Sequence, residues 1–179
     1  MNILLISTCS DRLSEREFVH PIANIVKSEK HQILHYMECS KDIVSEFDKV
    51  LVCGTSLRDN QYQKDLEIFK VLLSDYDKPV LGVCSGMQIV VSLFEEKIVE
   101  KTEIGMIDVQ SLENNNLCEG EFQAYSLHNY SVDNLEFFEI LARSETSTQV
   151  IKHKSKEIFG VSFHPEVRNT ALIVNFLRI

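Results

Sequence analysis

The stretch Gly82-Val-Cys-Ser-Gly86 follows directly on an apolar run, Lys78-Pro-Val-Leu-Gly-Val83, and it leaves the chain few ways to fold. A sulfur flanked by glycines two residues before and two after is the thiol form of a nucleophile elbow. A strand that turns straight into a helix drives its corner residue into a strained conformation, and side-chain bulk at the flanking positions would clash. The turn then holds the corner side chain above the sheet. The amide of the next residue, Ser85, is free to face an anion. A cysteine taken alone is most often a small buried hydrophobe. The glycine frame and the strand-to-helix context favour a nucleophile at Cys84, and a helix N-terminus favours the thiolate form.

The first half of the chain alternates strand and helix around this corner. Ile3–Ser7, Gln32–Tyr36, Lys49–Cys53 and Pro79–Val83 read as short apolar strands. Ser14-Glu-Arg-Glu17 has the form of a capping box, which predicts a helix running to about Ser28. Helical spacing puts Leu66, Phe69, Leu72 and Leu73 on one face of a helix over Gln61–Leu73, and Ser85–Phe94 follows the elbow. Such alternation predicts right-handed crossovers and a doubly wound, mostly parallel α/β sheet with helices on both faces. Sites in such sheets lie beyond the carboxyl ends of the strands, the edge shared by Cys53-Gly54-Thr55 and Cys84.

The second half reads differently. Ile98–Glu100, Ile104–Ser111, Glu121–Leu127, Glu139–Ala142, Gln149–His153 and Ile158–Phe163 are strand candidates separated by turns, which predicts antiparallel hairpins. Asn169–Leu177 closes the chain as a helix, capped by Asn169 or Thr170. No repeat or linker divides residues 1–179, so one domain is expected, large enough to bury roughly 70% of its unfolded surface.

Charge and cysteine usage narrow the partners. A net charge of −9 repels phosphate backbones, so nucleic acid is not expected as a partner. No segment approaches a membrane span, and the apolar N-terminal run is too short for a secretory core. Five cysteines at irregular spacings, without CxxC pairs, argue against a disulfide framework or a metal site and for a reducing cytoplasm.

Eighty residues beyond the elbow comes Gly160-Val-Ser-Phe-His-Pro-Glu166. In an extended segment positions i and i+2 share a face, so Glu166 can reach one ring nitrogen of His164 while the other faces the sulfur. Pro165 stiffens that geometry. Cys84, His164 and Glu166 together suggest a nucleophilic triad. Gly54, at the end of the third strand, is placed for a loop amide to complete an oxyanion hole with the Ser85 amide. His128, within Tyr125-Ser-Leu-His-Asn-Tyr130, carries no signal of its own. Lys152-His-Lys-Ser-Lys156 is a basic cluster that reads as a solvated hairpin tip before it reads as a docking patch.

Pro79-Val-Leu-Gly-Val-Cys-Ser-Gly-Met-Gln88 and Gly160-Val-Ser-Phe-His-Pro-Glu166 resemble the two signatures of class I (triad) glutamine amidotransferases. The likeness covers most of the chain and is nearest to the glutaminase subunit of two-subunit GMP synthetases. That resemblance implies a flavodoxin-like α/β fold, with glutamine as substrate and a γ-glutamyl thioester on Cys84. His164, oriented by Glu166, would move the protons, and the amides of Ser85 and the Gly54-Thr55 turn would hold the oxyanion. Gln88 and His128 fall at substrate-binding positions. No cofactor is implied. A separate ATP-dependent synthetase subunit would take the ammonia, because this chain has no glycine-rich phosphate loop.

Two places depart from the family pattern. Gly54-Thr55-Ser56 stands where two glycines and a proline are usual, and threonine tolerates positive φ poorly, so an altered oxyanion loop is expected. Leu127-His128-Asn129-Tyr130 stands where Ser-His-x-Asp is usual, which removes the acid associated with the substrate α-amino group. Two other readings stay open at this level: a free-standing hydrolase of γ-glutamyl amides, and a binding module that keeps the fold with little catalysis.

Overall fold

The computed structural model describes residues 1–112 and 115–179. Strands β1 (Asn2–Ser7), β2 (Lys30–His35), β3 (Lys49–Val52) and β4 (Val80–Val83) come from the first half. Strands β5 (Ile98–Ser111), β6 (Glu121–Val132), β7 (Phe138–Arg143), β8 (Thr148–His153) and β9 (Ile158–Val161) come from the second. Among the described residues these form one nine-stranded sheet in the order β2-β1-β3-β4-β9-β8-β7-β5-β6. From β2 to β9 all neighbours are parallel, and from β9 to β6 all are antiparallel. The last strand to form the parallel half is therefore the one that carries His164 out of the sheet.

Helices α1 (Glu15–Phe18), α2 (His20–Ile25) and α7 (Thr170–Leu177) cover one face, and α3 (Lys41–Ser45), α4 (Gln61–Lys64), α5 (Leu66–Leu73) and α6 (Ser85–Ser92) cover the other. The strands serve both sides by simple alternation. Ile3, Leu5, Leu51 and Leu81 join the core under α1, α2 and α7, while Leu4, Ile6, Val50, Val52 and Val80 join the core under α5 and α6. A strand buried on both faces must be apolar at every position, as β3 and β4 are. No helix among the described residues is long and apolar enough to cross a membrane.

Two expected helices are each broken in two. The first stops at Val19 because Pro21, lacking an N–H, sits in the opening turn of α2. Its Ser14 makes no side-chain cap, so the capping box does not form. The second breaks at Asp65, whose carboxylate accepts hydrogen bonds from Tyr36 Oη at 2.6 Å and Gln61 Nε2 at 3.1 Å. In the second half, Ile98–Glu100 and Ile104–Ser111 are one continuous strand with a register shift between Glu100 and Glu103.

Candidate active site

Cys84 sits between β4 and α6 with φ 52° and ψ −107°, one of four non-glycine residues with positive φ among the described residues. Strain of this kind persists only where the surroundings enforce it. Here they do so through the flanking glycines. A Cβ on Gly82 would lie 2.2 Å from the Gly86 carbonyl oxygen, and one on Gly86 would lie 2.1 Å from the Val52 carbonyl oxygen. The amide of Cys84 donates to Val161 O at 2.8 Å, which ties the corner to β9. Its Sγ lies 3.6 Å from the Leu127 carbonyl on β6, and the residue is 5% exposed.

Strand register brings the imidazole to the thiol. Val83 pairs with Val161 in parallel, so Cys84 and His164 leave adjacent strands one and three residues past a paired position. Gly54 lies two residues past Val52, which pairs with Gly82, so it arrives at the same level. A Cβ on Gly54 would meet His164 Cε1 at 3.0 Å and Cys84 Cβ at 3.3 Å. Glycine is needed here for space, because Gly54 does not adopt positive φ.

His164 is 1% exposed, and its Nδ1 lies 2.7 Å from Glu166 Oε1. The link between them is a turn, where the sequence had suggested an extended segment. Val167 N donates to His164 O, closing that turn with Pro165 at its second position, where a fixed φ suits it. The backbone amide of His164 donates to Tyr125 O on β6 at 2.9 Å. Burial alone would lower the imidazole pKa, but the Cys84 thiolate and the Glu166 carboxylate outweigh it and hold the pKa well above the ordinary value. His164 Nε2 is buried, and the Cys84 sulfur acts on the ring through both charge and hydrogen bonding, each of which raises the imidazole pKa.

Ser85 opens α6, so its amide has no intrahelical acceptor. Its hydroxyl lies 3.2 Å from Thr8 Oγ1, which donates to Cys53 O. Thr55 keeps a φ that threonine tolerates, and the positive φ that would have disfavoured it is absent. Its hydroxyl instead donates to Asp59 at 2.7 Å, and Asp59 also accepts the Ser10 amide at 2.7 Å. A side-chain tie thus fixes a loop whose backbone is not locked by proline.

The pocket over the thiol is lined by Thr55, Leu57, Asp59, Tyr62, Gln88 and residues 127–130 of β6, and it holds about 20 Å³, space for one water. A larger groove of about 680 Å³ beside Asp108 and Arg143 contains none of these groups. Gln88 lines the pocket, but its amide is used at both ends: it accepts from Tyr62 Oη at 2.5 Å and donates to Tyr130 O at 3.2 Å. His128 also lines it, with both ring nitrogens turned to β5. Nδ1 lies 3.1 Å from Lys101 O, and Nε2 lies 3.6 Å from Glu103, an ion-pair rather than a hydrogen-bond distance.

Tyr62, Asn129 and Glu103 are the neighbours the sequence did not signal. Asn129 donates to Leu57 O at 3.3 Å, holding the loop after β3 against β6. Glu103 accepts from Ser144, Thr146 and Gln149, and although burial opposes ionisation these donors and His128 lower its pKa to about 2. The basic cluster stays away from the site. It forms the β8–β9 turn at the opposite end of β9, where Lys152 pairs with Glu157 and Lys156 with Asp77.

A family model described as glutamine amidotransferase class-I matches residues 15–178. The chain belongs to that family. Among curated relatives of this family, a subunit of the glutamine-hydrolyzing GMP synthase of Methanosphaera stadtmanae is 36% identical over 108 residues, 56% of this chain and 58% of that protein. The corresponding protein of Thermococcus kodakarensis is 36% identical over 109 residues, 55% of this chain and 58% of that one. The match thus spans less than two thirds of these relatives. A solved structure described as a putative GMP synthase subunit of Thermoplasma acidophilum superposes with TM-score 0.86 at 20% identity, covering 99% of this chain and 90% of that one. A glutamine amidotransferase of Thermotoga maritima gives 0.70 at 17% identity, covering 93% and 76%. These likenesses establish the class I amidotransferase fold.

Proposed function

We propose that this chain hydrolyses the side-chain amide of glutamine through a thioester on Cys84 and passes ammonia to a separate ATP-dependent synthetase. The 179 residues act as one amidotransferase domain. Cys84, His164 and Glu166 are the triad. The thiolate attacks the amide carbon, and the negative charge on oxygen falls to the amides of Ser85 and the Gly54-Thr55 turn. The protonated imidazole gives its proton to the nitrogen as the carbon–nitrogen bond breaks, and ammonia leaves. His164 then takes a proton from water, which attacks the thioester and releases glutamate and the thiolate.

The observation that carries this reading is a buried imidazole held by Glu166 at 2.7 Å and brought beside Cys84, since one Cβ placed on Gly54 would lie 3.0 Å from His164 Cε1 and 3.3 Å from Cys84 Cβ. The relatives named as subunits of GMP synthase support a partner that consumes the ammonia, with GMP synthesis as the leading case.

The test is ammonia release from glutamine by the purified chain, with and without cell extract. Cys84→Ala is expected to abolish release, a loss of roughly 10⁴-fold or more for a missing nucleophile. Release that survives unchanged in Cys84→Ala would rule out the thioester. Release that requires extract identifies a synthetase partner, and full release without it points to a free-standing hydrolase.

A further inference from the structure

Thr8 and Ser85 carry buried hydroxyls outside the triad, and the two residues are 0% and 2% exposed. A valine would fill the space of Thr8 equally well, so a hydroxyl buried there is explained by its bonds. Thr8 follows β1, and its Oγ1 donates its one proton to Cys53 O at 3.0 Å. The second contact, 3.2 Å to Ser85 Oγ, therefore runs from Ser85 to Thr8. One hydroxyl thus joins the loop after β3 to the first residue of α6.

Those two segments hold the amides assigned above to the oxyanion. Cys53 turns both of its backbone polar groups toward β1: its amide donates to Ile6 O at 2.9 Å, and its carbonyl accepts from Thr8. No peptide bond among the described residues is cis, and across a trans peptide the C=O and the following N–H point in opposite directions. The Gly54 amide therefore points away from β1. Because β3 lies between β1 and β4, that amide is aimed to the side where Cys84 leaves β4. It is buried and has no acceptor among the described residues, and the Ser85 amide has none either. A buried N–H left unpaired is costly, and an oxyanion beside the thiol would receive both.

We propose that Thr8 is a positioning residue for the oxyanion hole. Its hydroxyl aims the Gly54 amide through the Cys53 carbonyl and holds the Ser85 amide in place through the Ser85 side chain. This rests on the amide-hydrolysis reading above and adds to it a residue outside the pocket lining, which acts only through its two partners. Charge on the amide oxygen develops in the transition state, so loss of the Thr8 hydroxyl falls on kcat and spares KM.

Two measurements on the full chain test it. Ammonia release from glutamine is compared for the wild type, for Thr8→Val, which keeps the shape, and for Thr8→Ser and Thr8→Ala, which differ by a single oxygen. Thr8→Val and Thr8→Ala are expected to lower kcat by roughly 10- to 100-fold, with KM changed by less than about threefold. Thr8→Ser is expected to stay within about fivefold of the wild type. An intact kcat in Thr8→Ala overturns the proposal, as does a Thr8→Ser enzyme as impaired as Thr8→Ala. Should Thr8→Val fail to fold, the serine and alanine variants decide alone. The second measurement needs no turnover: the rate of Cys84 alkylation by a chloromethyl ketone on the glutamine skeleton, set against the rate with iodoacetamide. The ketone oxygen takes the place of the amide oxygen, whereas iodoacetamide reports on the thiolate. Thr8→Ala is expected to react about tenfold more slowly than Thr8→Ser with the ketone and equally fast with iodoacetamide. Equal ketone rates, equal slowing of both reagents, or a ketone that never reaches Cys84 would each overturn the role of Thr8. If the wild type releases no ammonia under any condition, amide hydrolysis is refuted, and the alkylation rates still decide whether Thr8 sets the hole.

Discussion

Cys84 and His164 each stand against the preference of the site around them. The imidazole is almost wholly buried, which disfavours its charged form, yet Cys84 and Glu166 raise its pKa well above the ordinary value. Because the folded His164 pKa is raised, the imidazole's contribution to stability is complete below the ordinary imidazole pKa and is lost as pH rises through the raised one. In Cys84→Ala the attraction from sulfur is gone while burial remains, so the His164 titration midpoint, followed by NMR of the ring, is expected to fall below that of the wild type. A midpoint that does not move would mean the sulfur carries no charge beside it. At this scale the sequence was informative wherever the demand is local. The glycines at 82 and 86 announce the corner because a Cβ at either would strike backbone, whatever the rest of the chain does. Gly54 was legible as a loop glycine, but its reason, space for the His164 ring, is a contact across 110 positions of sequence and has no local signature.

Among elements, the β4–α6 corner and the β5–β6 ribbon do different work. The corner is fixed by close packing of backbone on backbone. Gly86→Ala would push a methyl group into the Val52 carbonyl, and overpacking of that kind costs about 1–3 kcal/mol or more. Urea unfolding is expected to show that loss, and kcat should fall with it, because the displaced end of β3 carries Gly54. Stability and kcat equal to those of the wild type would mean that β3 yields freely. The ribbon acts through its carbonyls: Leu127 O beside the thiol and Tyr125 O bonded to the His164 amide. Its contribution was hidden in the sequence. Glu103 meets His128 only because β5 and β6 pair in one particular register, and a shift at Glu100–Glu103 sets that register. Hairpin pairing of this sort depends on which face is buried, and in β5 the apolar Ile104 and Met106 stand on the exposed face, so the residue types do not mark it. The helix breaks at Val19 and Asp65 were half legible, since Pro21 signals its own break while the tie from Tyr36 to Asp65 does not.

For the molecule as a whole, the sheet divides the interior into two apolar layers, and the closing helix seals one of them. Phe176 is fully buried, with its ring 6.0 Å from that of Phe159 on β9. Phe176→Ala is expected to cost about 3–5 kcal/mol, a large share of the roughly 5–15 kcal/mol that holds a domain of this size together. Chemical denaturation would read the loss directly, and a change below about 1 kcal/mol would show that the helix packs loosely. The alternation of strand and helix foretold both layers, and the turn-separated strands of the second half foretold the antiparallel pairs that complete the sheet.

Strand β6 runs from Ala124, embedded in one layer, to Val132, embedded in the other, and passes over the carboxyl edge between them. It works as a strap buckled on both sides of the body. The reacting groups lie beneath its middle, so they cannot be bared by loosening one side alone, and the competence of the thiol lasts as long as both halves of the interior hold.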